Sequence, residues 1–153
     1  MTYALAVDTS KKRLLVVFRG AITKQDWAKA FDFSVKRVHN PIRESFPKKP
    51  KKIDLHSGFY QYLFRVRKDT GTTKYDEIAN LAHKYGIERI GEDYQLVVTG
   101  HSLGGALSTL FGFFSSTDKR FTKNGPVKVF NFGSPYVGGH YFADAFRHQE
   151  QVG

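Results

Sequence analysis

The sequence predicts an α/β fold built on a mostly parallel sheet, and two observations carry that prediction. After residue 70 the chain reads helix, strand, helix, strand, helix, the alternation that lays strands side by side in parallel. The two strands of that series, Tyr94–Thr99 and Val127–Phe132, are short runs rich in β-branched and aromatic residues, the composition of strands with both faces covered. The length of 153 residues suits one domain or part of one. With 41% hydrophobic residues, 14 Phe and 8 Tyr there is enough apolar matter for a core.

The elements follow in order. Tyr3–Val7 and Leu14–Phe18 are apolar strands joined by Asp8-Thr9-Ser10-Lys11-Lys12, which is turn material, so they form an antiparallel hairpin. Asp26 can cap a helix from Trp27 to about Val38, with Trp27, Ala30, Phe31 and Ser34 on one face. Residues 40–52 carry three prolines, no periodicity and many lysines, and read as a loop. Ile53–Ser57 is extended. A helix follows from Phe59 to Lys68, with Phe59, Tyr62, Leu63 and Val66 in register. Tyr75, Ile78, Ala79, Ala82 and Tyr85 mark an amphipathic helix that Gly86 stops. Gly100–Gly105 is a turn, Ala106–Phe114 an apolar helix, and Gly138-Gly139 opens a last helix over Tyr141–Arg147.

Composition narrows the function. Cysteine is absent, which excludes disulfides, thiolate metal sites and a cysteine nucleophile. No run reaches the ~18 apolar residues of a membrane span, and no leader pattern opens the chain. Those two absences, of cysteine and of a leader, point to an intracellular protein. The charge is +10, concentrated in Lys48, Lys49, Lys51 and Lys52. No zinc-finger spacing and no glycine-aromatic ribonucleoprotein signature accompanies it, so nucleic acid is not the expected partner.

Chemistry concentrates in Gly100-His101-Ser102-Leu103-Gly104, a G-x-S-x-G between a predicted strand and a predicted helix. A serine hydroxyl is a weak nucleophile until a base and a substrate can both reach it. A sharp strand-to-helix turn lifts Ser102 clear of the sheet. Such a turn crowds its neighbours, which is why Gly100 and Gly104 lack side chains. The N–H of Leu103, at the positive end of the helix, is placed to bind an oxyanion. A plain glycine-rich turn with Ser102 as a helix cap is the competing reading.

In order along the chain, Tyr3–Asp8 with Leu15–Gly20, Asp26-Trp27, Leu55-His56-Ser57-Gly58-Phe59, Val98–Ala106 and Asn131–Gly139 resemble the signature segments of the class 3, fungal-type lipases of the α/β-hydrolase superfamily. The resemblance spans nearly the whole chain. It implies a serine carboxylic ester hydrolase acting on acylglycerols through an acyl-enzyme on Ser102, with no metal and no cofactor. It makes Ala21, after Arg19-Gly20, the second oxyanion donor. The family has Ser or Thr there, so the N–H survives and a hydroxyl donor is lost. Asp26-Trp27 reads as structural, with Ala30 where the family often has a second acid. His56 reads as a structural histidine, not the catalytic base.

The triad order Ser, then Asp or Glu, then His places the family's acid and base beyond Gly153, so neither is assigned to a residue of this chain. Asp118 follows the helix that leaves the site, about 15 Å away. His140 with Asp144, one turn on, forms the one local pair that can imitate a base and its orienter. Residues 1–153 therefore read as a partial, C-terminally truncated class 3 lipase domain with a bare edge on its last strand. By the same resemblance residues 40–52 are a lid-like basic loop, suited to anionic lipid headgroups on a membrane or lipid droplet. The alternative is a non-catalytic lipase-like module that binds lipid or a partner.

Overall fold

The computed structural model describes residues 2–21, 34–42 and 50–152. Six strands and five helices lie in them: β1 (Tyr3–Asp8), β2 (Arg13–Phe18), β3 (Val35–His39), β4 (Lys52–His56), α1 (Ser57–Phe64), α2 (Lys74–Arg89), β5 (Gln95–His101), α3 (Leu103–Ser115), α4 (Lys119–Thr122), β6 (Lys128–Phe132) and α5 (His140–Val152).

The main sheet has the order β1-β2-β5-β6. β1 and β2 are the expected antiparallel hairpin, with Tyr3 opposite Phe18 and Asp8 opposite Arg13. β2–β5 and β5–β6 are parallel. Leu14, Val16 and Phe18 of β2 alternate inward with Leu96 and Val98 of β5, all but closed to solvent. α3 lies across this face. Its residues Leu103–Phe113 are all buried, so protein encloses it on every side, and it is mostly apolar as such a helix must be. Aromatic rings fill the space around it: Phe18 meets Phe111 at 5.6 Å, Tyr75 meets Phe111 at 5.1 Å, Phe64 meets Phe114 at 4.5 Å and Phe113 meets Phe142 at 5.2 Å.

Several boundaries differ from expectation. The helix predicted to run to Val38 does not: Val35–His39 is strand β3, paired antiparallel with β4 as a separate two-stranded ribbon. Val35 and Val38 mimic a helical spacing, yet only Val38 is buried, and pairing with residues 52–56 decides the conformation. Asp26, Trp27 and Ala30 lie outside the described residues, as do residues 43–49 of the lid-like loop. The helix predicted over Phe59–Lys68 ends at Phe64, because Arg65 turns extended and the Arg67 guanidinium is drawn to Glu77 at 2.6 Å. Val66 therefore faces solvent. Gly86 does not stop α2, which continues to Arg89. Its glycine serves packing, since a Cβ there would lie 2.7 Å from the Tyr94 ring. Gly100 and His101 belong to β5, which narrows the turn to Ser102 alone, and the last helix runs from His140 to Val152.

α2 opens with a capping box between Thr73 and Asp76. One turn in, Glu77 accepts from the Tyr3 hydroxyl and from Lys74 Nζ, both at 2.9 Å, and pairs with Arg67, which ties β1 to the helix. The Lys74 hydrogen bond, with Tyr3 and the Arg67 charge behind it, holds the Glu77 carboxyl below the ordinary glutamate range. A depressed folded-state value gives stability that is complete above the unfolded value of 4.5 and is lost as pH falls through the folded one. Urea titrations on either side of that range are expected to show a steeper acid loss for the native chain than for Glu77→Gln. Parallel curves would show that this cluster is not linked to folding.

Candidate active site

Ser102 sits at the carboxyl end of β5, where ligands bind in open parallel sheets. Its backbone has φ 55° and ψ −124°, a conformation that L-residues rarely adopt. Three hydrogen bonds and close contacts hold it there. The Ser102 N–H donates to the Phe132 carbonyl at 2.9 Å, so β6 fixes the turn from one side. Its carbonyl accepts from the N–H groups of Gly105 (2.8 Å) and Ala106 (3.2 Å), which starts α3.

Two glycines let the turn close. A Cβ on Gly100 would lie 2.2 Å from the Gly104 carbonyl oxygen, and one on Gly104 would lie 2.1 Å from that of Phe18. Both obstacles are backbone. The pairing of Gly100 with Phe18 and with Asn131 places all three strands under the first turn of α3. Behind that turn, the Ser108 and Thr109 hydroxyls donate to the Gly105 carbonyl at 2.8 and 2.9 Å, and Asn131 Nδ2 donates to Thr109 Oγ1 at 2.9 Å. The sequence reading missed this bridge from β6 to α3. No local signal marked it, since Asn131 is one of two polar residues in β6, beside Lys128.

Ser102 is formally the N-cap of α3, but its side chain makes no capping hydrogen bond. The reading of a merely capping serine therefore fails, and the half-buried hydroxyl is left available. Leu103, buried at 1%, is the first residue of α3, and no backbone acceptor among the described residues takes its N–H. On the other flank the strand end Arg19-Gly20-Ala21 runs beside the serine: a Cβ on Gly20 would lie 3.8 Å from Ser102 Cβ and 3.1 Å from the His101 carbonyl oxygen. Ala21, the expected second donor, is half-buried and packs on the core. The His101 side chain is exposed and lies against Gly133.

The remaining titratable candidates are elsewhere. Asp118 caps α4 and forms a forked pair with Arg120 at 2.6 Å, near Tyr94 at the opposite end of β5. The His140 ring lies 3.9 Å from that of Tyr141, tilted by 44°, while Asp144 pairs with Arg147 at 3.4 Å. No hydrogen bond joins His140 to Asp144 among the described residues, so the imitation pair is not assembled. His56 caps α1: its Nδ1 accepts from the Phe59 N–H at 3.4 Å and its ring stacks on Phe59 at 3.8 Å, a structural role. Among the described residues no group of three or more His, Asp or Glu is arranged to hold a metal, and no helix is long and apolar enough to cross a membrane.

The two outer signature segments meet in space. The His56 N–H donates to the Val137 carbonyl at 2.8 Å and the Gly139 N–H to that of Asp54 at 2.8 Å, so residues 137–139 run along β4. A Cβ on Gly138 would lie 2.5 Å from the Asp54 carbonyl oxygen.

Comparisons with known proteins find relatives along nearly the whole chain. Over 159 residues the chain is 28% identical to phospholipase A1-IIgamma of Arabidopsis thaliana, covering 93% of this chain and 35% of that protein. Over 141 residues it is 27% identical to secreted mono- and diacylglycerol lipase 1 of Fusarium solani, covering 92% of this chain and 35% of that one. The solved structure of the lipase from Rhizopus microsporus var. chinensis superposes with a TM-score of 0.67 at 23% identity, over 96% of this chain and 45% of the lipase. The chain thus spans about a third of the length of these curated relatives. The fold is that of the fungal lipases, of the α/β-hydrolase type. Residues 15–152 match the family Lipase (class 3), and with the serine turn, the flanking strand end and the paired outer segments all in place, the chain belongs to the class 3 lipase family.

Proposed function

We propose that this chain carries the nucleophile half of a serine hydrolase that cleaves lipid carboxylic esters, acylglycerols foremost, through an acyl-enzyme on Ser102. The observation that carries the reading is a serine held at φ 55° by backbone on three sides with its hydroxyl uncommitted. Such strain is kept where it positions a reacting group. Ser102 Oγ attacks the acyl carbonyl carbon while a base takes its proton. The N–H groups of Leu103 and Ala21 hold the oxyanion. Collapse expels the alcohol, which takes that proton, and water then releases the fatty acid and restores the serine. Base and acid must come from outside the described residues.

A fluorophosphonate ester, which reacts only with an activated serine, tests this on the whole polypeptide. Stoichiometric labelling that disappears in Ser102→Ala is the expected result. Failure to label a folded whole protein refutes the reading. It would favour the second one, a lipase-like module without catalysis, for which the specific support is that His140 lies against Tyr141 and Asp144 pairs with Arg147.

A further inference from the structure

We infer that the buried Ser108 and Thr109 hydroxyls, backed by Asn131, are positioning groups that strengthen the Leu103 N–H as an oxyanion donor through a chain of hydrogen bonds along the first turn of α3; this rests on the hydrolase reading above. The chain can be followed bond by bond. Asn131 Nδ2 donates to Thr109 Oγ1 at 2.9 Å. The Thr109 hydroxyl in turn donates to the Gly105 carbonyl at 2.9 Å, and Ser108 Oγ donates to the same carbonyl at 2.8 Å. That carbonyl shares its planar peptide group with the Ala106 N–H, which donates to the Ser102 carbonyl at 3.2 Å. The Ser102 carbonyl shares its own peptide group with the Leu103 N–H. Every donor in the series points the same way, so each bond polarises the next, and the last member is the N–H assigned to the oxyanion.

A hydroxyl in a helix ordinarily returns its proton to a carbonyl three or four residues back, and that alone carries no function. Ser116 and Thr117 do so just past the far end of α3, with the Phe113 and Phe114 carbonyls at 2.7 and 2.8 Å. Ser108 and Thr109 differ from them. Both fall on a single carbonyl. Both are enclosed, Ser108 completely and Thr109 to all but 8%, so water does not weaken their bonds. Thr109 is also held from another element, by a β6 side chain whose neighbour, Phe132, accepts from the Ser102 N–H at 2.9 Å. β6 thus acts on the Ser102 backbone twice: directly on its N–H and, through Asn131 and Thr109, on its carbonyl.

The test uses the whole polypeptide and a soluble ester, p-nitrophenyl butyrate. Losing an oxyanion donor outright costs about 10²–10³ in kcat. A chain that strengthens the donor by up to ~30% accounts for about fivefold of that. Ser108→Ala/Thr109→Val is therefore expected to lower kcat about fivefold with KM unchanged, because the unreacted ester carries no oxyanion. Thr109→Ser, which keeps the hydroxyl, is expected to stay within about twofold of the native chain. Ser116→Ala removes a bond of the same kind from a peptide group that does not lead to Ser102, and is expected to leave kcat unchanged. Thermal unfolding checks that each variant is folded. In free protein carrying isotope-labelled leucine, the Leu103 amide proton resonance is expected to move upfield in the double variant. A folded double variant with native kcat, an equal fall in Ser116→Ala, or a Leu103 resonance that stays in place would each overturn the inference. A native chain that neither hydrolyses the ester nor takes the phosphonate would refute the hydrolase reading and the catalytic use of the chain with it. Native labelling beside an unaltered kcat in the double variant would refute the inference alone.

Discussion

Gly104→Ala is expected to abolish folding. The added Cβ would stand 2.1 Å from the Phe18 carbonyl oxygen, 2.8 Å from its carbon and 3.0 Å from that of Arg19. No side chain can rotate away to relieve this. Phe18 is held on both sides, by Tyr3 of β1 and Gly100 of β5, and the next N–H, of Arg19, donates to the Thr2 carbonyl at 3.0 Å. Either α3 lifts off the sheet or the end of β2 leaves it, and both expose core. A loss above about 4 kcal/mol follows, a large part of the ~5–15 kcal/mol that stabilises an ordinary domain. Soluble expression and thermal unfolding provide the measurement, with a drop in Tm of more than about 8 °C for any folded remainder. Gly105→Ala is the internal control. Its nearest contacts are 3.2–3.3 Å, one of them the Ser134 Cβ, and a cost of about 1 kcal/mol is expected. If Gly104→Ala unfolds like the native chain, α3 does not lie against the end of β2.

Ser102→Gly is expected to stabilise the chain while removing all phosphonate labelling. At φ 55° and ψ −124° the serine backbone stores strain of about 1–3 kcal/mol. Glycine releases it, offset by the ~0.5–1 kcal/mol that glycine adds to the freedom of the unfolded chain. A net gain of about 1 kcal/mol, or about 2–4 °C in Tm, is the expected balance. Ser102→Ala keeps the strain and should unfold with the native chain, within about 0.5 kcal/mol. An ordinary capping serine behaves the other way round, losing about 1 kcal/mol to alanine and only a few tenths to glycine. The order of the two Tm values therefore separates a strained nucleophile from a cap without any substrate.

What could be read from the sequence, and what could not, divides along the range of the interactions. The hairpin, β5, α3 and β6 were legible because each is written in its own residues: apolar runs, a turn between them, a glycine pattern at the elbow. Ser102, Leu103 and Gly104 were legible for the same reason. Val35–His39 was not, since only one of its five side chains is buried and its conformation comes from a partner strand thirteen or more residues away. Gly86 looked like a helix stop because its packing partner, Tyr94, acts from the following strand. Asn131 gave no local clue to its bond with Thr109. The signature segments around His56 and Gly138 were recognised separately, and their pairing is visible only in three dimensions.

That last pairing also orders events in time. The ribbon of β3 and β4 shares hydrogen bonds with residues 137–139, and the Ser102 N–H finds its acceptor in Phe132. During synthesis the early segments leave the ribosome long before the residues that secure them, and such long-range closures come late in folding. The nascent chain must therefore carry an unsecured basic ribbon and an unclosed serine turn until β6 and the Tyr136–Gly139 stretch have emerged. The serine turn and the ribbon thus wait on the same late segment, so a partly made chain lacks the hydrogen bonds that fix either one.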